Sequence, residues 1–127
     1  MNIPEKLGYT DDHEWISIEG DIVIVGITDF AQSELGDIVY VEIETEGEKI
    51  SKGDVFGIVE AVKTVSDLFM PLTGTVEEVN SDLEDNPESV NEDCYEKGWL
   101  IKIKLTGSPD ELDELLTAEQ YKAVIGD

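Results

Sequence analysis

The stretch VFGIVEAVKTVSDLFM, residues 55–70, reads as two β-strands joined by three residues. Residues 55–61 are rich in β-branched and aromatic side chains, the pattern resumes from Val65 to Met70, and Pro71 stops it. Val62, Lys63 and Thr64 form the connection. Lys63 is the only basic residue between Lys52 and Lys97, a span that holds twelve acids. A lysine at a hairpin tip projects from a fixed scaffold, so a group amide-linked to its amine would swing on a four-carbon stem while the base stays still. That is the geometry of a carrier. Lysines are mostly exposed in any fold, so position alone also suits an ordinary solvated side chain.

Outward from this hairpin, strand signals come first and helices are short. Residues 13–18 read as a strand, Glu19-Gly20-Asp21 as a turn, and residues 22–27 as the hairpin partner. Thr28 or Asp29 can cap a short helix through Ser33 and Leu35, with Gly36 placed to end it in a left-handed conformation. Residues 37–43 alternate acidic with apolar side chains, Glu46-Gly47 and Lys52-Gly53-Asp54 mark turns, and residues 75–79 form the strand after the Lys63 hairpin. Residues 80–98 are acidic and irregular, and 99–105 return to the sheet with Lys102 and Lys104 alternating with apolar residues. Ser108-Pro109 then starts a helix with Leu112, Leu115 and Leu116 on one face. Thr117 and Gln120 form the capping box of a second helix ending near Gly126.

Composition narrows the function classes. A chain of 127 residues is one domain by length, residues 1–127, with a helical extension from about 108. The formal charge of −23 disfavours nucleic acid and anionic membrane as partners, because both need clustered cations. All eight basic residues are lysines, so the bidentate fork that recognises phosphate is missing and nucleotide chemistry is disfavoured. The opening MNIPEKLGYTDD has the character of neither a signal nor a transit peptide, which points to a cytoplasmic chain and leaves a mature mitochondrial form open. A single cysteine, Cys94, cannot form an internal disulfide and agrees with a reducing compartment.

Weaker constellations give less. Asp82, Glu84 and Asn86 have the first spacings of a calcium loop, but Pro87 stands where glycine is needed and Asp93 replaces the bidentate glutamate. Cys94 and His13 lie in no nucleophile signature, and one histidine with one cysteine makes a poor zinc set. Trp15 and Trp99 read as core anchors.

Three segments carry a resemblance that spans nearly the whole chain: YTDDHEWISIEGDIVIVGITDFAQSELGDIVYVE, EAVKTVSD and EDNPESVNEDCYEKGWLIKIKL. They resemble, in order, the signature segments of the H protein of the glycine cleavage system, a small carrier related to lipoyl domains. The resemblance implies a mostly β fold, a barrel-sandwich hybrid of antiparallel strands in two sheets related by a rough two-fold, with short helices and two at the C-terminus. The glycine-led segments at Gly20-Asp21-Ile22 and Gly74-Thr75-Val76 hint at the repeat. The resemblance implies that Lys63 carries lipoate in amide linkage and that Glu60 occupies a position where lipoyl-type domains also tend to hold glutamate. Biotin carriers set their lysine between two methionines, whereas Val62 and Thr64 flank Lys63.

The resemblance further implies a protein that is not itself an enzyme. It would take an aminomethyl group from a pyridoxal-phosphate glycine decarboxylase (P protein) and pass it to a tetrahydrofolate-dependent aminomethyltransferase (T protein). Dihydrolipoyl dehydrogenase (L protein) would reoxidise it, and a lipoate ligase or octanoyltransferase would load it. A cleft that keeps water from the loaded arm has a clear rationale. His13 and Glu14, expected at the start of the first strand, and Ser66 and Asp67, just past the tip, are the candidates to line it. The alternative function is a lipoyl relay that donates lipoate to other carriers; nothing in the chain separates it from glycine cleavage, and the neighbouring genes would do so best.

Overall fold

The computed structural model describes residues 1–126. Nine strands form two antiparallel sheets whose inner faces share one core. The larger sheet takes β1 (Gly8–Tyr9), β2 (Glu14–Glu19), β3 (Ile22–Ile27), β9 (Ile101–Leu105), β8 (Gly74–Val79) and β5 (Lys49–Ile50), in that spatial order. The smaller takes β4 (Ile38–Glu42), β6 (Val55–Ala61) and β7 (Val65–Phe69). The result is mostly β and resembles a lipoyl domain, as expected.

The period-two pattern explains why β9 can sit centrally between β3 and β8: Ile101 and Ile103 are fully buried, while Lys102 and Lys104 point away from the core. Lys102 reaches back over the Trp99 ring at 5.0 Å, so that half-buried tryptophan borders the sheet, whereas Trp15 is buried. The two glycine-led strands, β3 and β8, flank β9 in the same sheet. Gly26 pairs with Trp15 across β2 and β3, and a Cβ there would lie 2.5 Å from the indole Nε1, so only a bare Cα lets the ring lie flat on the sheet.

Helix α1 (Asp29–Leu35) begins at Thr28, whose side chain accepts from the Ala31 N–H. Gly36 ends it at φ +81°, as a left-handed stop demands, but its ψ of −160° is extended and turns the chain straight into β4. The acidic stretch after β8 folds into a 3-10 turn at Ser81–Glu84 and one turn of helix, α2 (Ser89–Glu92), so of the candidate calcium ligands Asp82 and Glu84 lie in a helical turn, while Asn86 and Asp93 lie outside both. No group of three or more metal-ligating side chains occurs among the described residues.

Two expectations are corrected. His13 does not lie on a strand: it sits at φ +67° in the turn before β2, and the first strand is β1. Its N–H is bonded to the Thr10 carbonyl and its own carbonyl to the Thr28 N–H, so tertiary bonds override the extended pattern. Nor do Leu112, Leu115 and Leu116 share one helical face. Helix α3 stops at Asp110–Asp113, and Leu116 exchanges two backbone hydrogen bonds with Tyr9 at 2.7 and 2.9 Å. Bridge pairing beside β1 satisfies backbone groups that another helical turn would have taken.

Helix α4 (Ala118–Ile125) carries the expected capping box, formed by Thr117 and Gln120, and ends at a left-handed Gly126. It packs on β1 through Tyr121, stacked on Tyr9 at 4.8 Å, in a second core that also buries Ile3, Trp15 and Ala118. No helix among the described residues is long and apolar enough to cross a membrane.

Candidate functional site

The β6–β7 connection is the three residues read from the sequence, Val62 to Thr64, with Lys63 exposed. A bond from the Ala61 N–H to the Thr64 carbonyl closes the tip, and one from the Val62 N–H to the Asp37 carbonyl ties it to the entry of β4. The base of Lys63 is therefore fixed on two sides. Its stem lies over Gly36: a Cβ there would sit 3.4 Å from Lys63 Cε and 3.9 Å from Nζ. Asn91 anchors this saddle by accepting from the Ile38 N–H and donating to the Gly36 carbonyl and the Gln32 side chain. Nothing in the acidic run around Asn91 signalled that role.

Beside the saddle opens a cleft of about 200 Å³. One wall is the turn into β2 with His13 and Glu14, the facing wall is α1 with Phe30, Glu34 and Leu35, and β7 contributes Ser66 and Asp67. The four residues proposed for a cleft on sequence grounds thus meet in one. Glu60 does not join them. It pairs with Tyr40 and Val65 across the small sheet, so it shares their lateral row. Lys63 is not in the lining either; Gly36, one residue beyond Leu35, connects its stem to the rim. A larger hollow of about 350 Å³ lies between Lys52, Met70 and Glu114, and Lys63 does not line it.

Glu14 gives the cleft its chemistry. It is 2% exposed, its Oε1 accepts from the Thr10 hydroxyl at 3.2 Å, and its Oε2 has no hydrogen-bond partner. Burial first, and the negative charge of Asp12 second, hold its carboxyl well above the usual range. The Thr10 hydroxyl and the Phe69 backbone pull the other way without cancelling the shift. A buried acceptor with a free oxygen, walled by Phe30 and Leu35 and rimmed by Asp12, Glu34 and Asp67, suits a guest that brings a cation or an N–H. The residues fit a lysine-borne arm that ends in an amine. Cys94, in contrast, is buried, and burial pushes its thiol up to about 12; its carbonyl takes the Trp15 indole N–H at 2.9 Å. Its place is structural.

Two antiparallel sheets with an exposed lysine on a rigid hairpin tip, and a small polar-ended cleft within reach of its base, define a carrier module of the lipoyl-domain type. Residues 7–127 match the family model described as glycine cleavage H-protein. The chain is 58% identical to the glycine cleavage system H protein of Bacteroides fragilis and 57% to that of Salinibacter ruber, over 98% of this chain and 98% and 99% of theirs. Its fold matches the crystal structure of the H protein from Mycobacterium marinum with a TM-score of 0.89 at 43% identity, covering 98% of this chain and all of that one. The chain belongs to the glycine cleavage H-protein family. It is accordingly a lipoyl carrier of the glycine cleavage system and not an enzyme, and membership implies a lipoyl group held on a lysine.

Proposed function

We propose that Lys63 is the lysine that carries the lipoyl group, and that the cleft of His13, Glu14, Ser66 and Asp67 shelters the loaded arm between visits to its partners. One observation carries the reading: the Lys63 stem rests on Gly36, directly beside the Glu34–Leu35 rim of a cleft whose buried carboxyl has a free oxygen. When attached, the lipoyl dithiolane supplies a disulfide that opens reductively to take an aminomethyl group on one sulfur and leaves the other as a thiol.

The chain's own residues do the rest. The hairpin fixes the origin of the arm and leaves its length free to enter partner sites. Glu14 accepts a hydrogen bond from the amine through Oε2. Phe30 and Leu35 keep bulk water from the reactive carbon. The partners are the P protein, which supplies the aminomethyl group from glycine, the T protein, which receives it, and the L protein, which restores the disulfide. Glu60, beside the exposed Val62, Val65 and Tyr40, belongs to the face met by the lipoate ligase or octanoyltransferase that loads Lys63.

The test is intact mass and peptide mapping after incubation with lipoate, ATP and a lipoate ligase. Lys63 should gain about 188 Da and lose its positive charge, taking the formal total from −23 to −24. Lys63→Arg should stay unmodified and folded, because an exposed tip contributes little packing. Modification at another lysine, or none on a competent ligase, refutes the assignment.

A further inference from the structure

His13 is the chain's sole histidine, and it is held more tightly than a cleft lining requires. Its backbone is bonded at both ends and fixed at φ +67°. Its ring leans on Phe30 at 5.0 Å, and Nδ1 lies 2.9 Å from the hydroxyl of Tyr121, a fully buried residue on α4. That hydroxyl lies 2.7 Å from Thr28 Oγ1, itself fully buried and accepting from the Ala31 N–H. The C-terminal helix thus joins both walls of the cleft at one oxygen: His13 before β2, and Thr28 at the cap of α1.

Proton counting sets the direction of this chain. The Thr28 hydroxyl has one proton, and Tyr121 Oη is its only acceptor among the described residues. If Tyr121 donated to Thr28 instead, the buried Thr28 proton would be left without an acceptor. So Thr28 donates to Tyr121, Tyr121 donates to His13 Nδ1, and the imidazole proton resides on Nε2. With Nδ1 committed, Nε2–H is the ring group His13 can offer to the cleft it lines.

We propose that Tyr121 is a positioning residue for the carried group, fixing His13 as an Nε2–H donor beside the Glu14 acceptor, so that the cleft grips a primary amine by both its N–H and its lone pair. This rests on the arm-cleft reading above. Premature loss of the load begins when the nitrogen lone pair forms a C=N bond and the C–S electron pair leaves with sulfur. Water then adds at carbon, giving formaldehyde, ammonia and the free dithiol. A hydrogen bond donated into that lone pair withholds the electrons that expel the sulfur. Tyr121 lies too deep to touch the amine and acts only through His13.

The experiment uses the full chain with ¹⁵N-labelled histidine, whose single ring gives one Nδ1 and one Nε2 resonance. In the unmodified protein, held basic enough that the imidazole is neutral, the wild type should show the Nε2–H tautomer alone, and Tyr121→Phe should shift the pair toward averaged values. Tyr121→Phe keeps the stack on Tyr9, and near-UV circular dichroism checks that the fold survives. A wild-type Nδ1–H tautomer, or shifts that Tyr121→Phe leaves unchanged, overturns the proposal without touching the lipoyl reading. The second readout is the lifetime of isolated aminomethyl-loaded protein, measured as ammonia release. Both Tyr121→Phe and Glu14→Ala should shorten it severalfold. A shorter lifetime with Glu14→Ala alone overturns the role of Tyr121 and keeps the cleft; no change in either overturns both.

Discussion

Glu14→Gln should make the unmodified protein more stable, and the gain should depend on pH. The wild-type carboxyl is buried with Oε2 unpaired, and burial, followed by the charge of Asp12, raises its proton affinity in the folded state. The folded form therefore binds this proton more tightly than the unfolded chain does. The group's contribution is complete below the ordinary carboxylate range and is lost as pH rises through the folded value. Gln is nearly isosteric and never ionises, so the variant escapes the loss. The Gln amide leaves a polar atom unpaired as the neutral carboxyl does, so the gain is only the extra cost of burying the charge, on the order of 1–3 kcal/mol. For 127 residues an unfolding entropy of about 2.1 cal/mol/K per residue means about 0.27 kcal/mol per degree, so the gain in Tm is about 4–11 °C at pH 8.

The assay is paired calorimetry of wild type and variant from pH 4 to pH 9. Subtracting the two curves isolates residue 14 together with its coupling to Asp12. The Tm difference should close toward zero near pH 4 and open as pH rises. A difference that is constant with pH, or a variant less stable than wild type at pH 8, would show that Glu14 is not held against its ionised form and would refute the argument. The same substitution should shorten the life of the loaded arm, because an amide cannot offer a carboxylate to the amine. Stability and shelter would then move in opposite directions at one residue.

Two further outcomes follow from packing and charge. Gly26→Ala puts a Cβ 2.5 Å from the Trp15 indole, which must shift within the second core; the expected loss is about 1–3 kcal/mol in chemical denaturation, and an unchanged midpoint would mean that the ring has room to move. With a formal charge of −23, association with the P and T proteins should slow steeply as salt is raised across the screening range in stopped-flow mixing; rates flat with ionic strength would remove the steering argument and leave the carrier role standing.

Local chemistry made much of this protein legible in one dimension. Residues 55–61 form a strand because their side chains suit a pleated half-buried surface, and the three residues that follow have to turn, so the sequence determined Lys63 as a hairpin tip. The cap at Thr28, the capping box at Thr117 and Gln120, and the burial of alternate residues in β9 are likewise neighbour-to-neighbour effects. At His13 and Leu116, bonds to residues distant in sequence, Thr28 and Tyr9, outweigh the local pattern. Only the tertiary structure decided that Glu14 is a buried acid with a free oxygen, since burial depends on what other strands and α1 place around it. It alone seated the Lys63 stem on Gly36, fixed that saddle with Asn91, and brought Tyr121 against His13 across 108 positions. Contacts between such distant positions leave no periodic trace in the chain, because period records which face a residue occupies and not what it meets there.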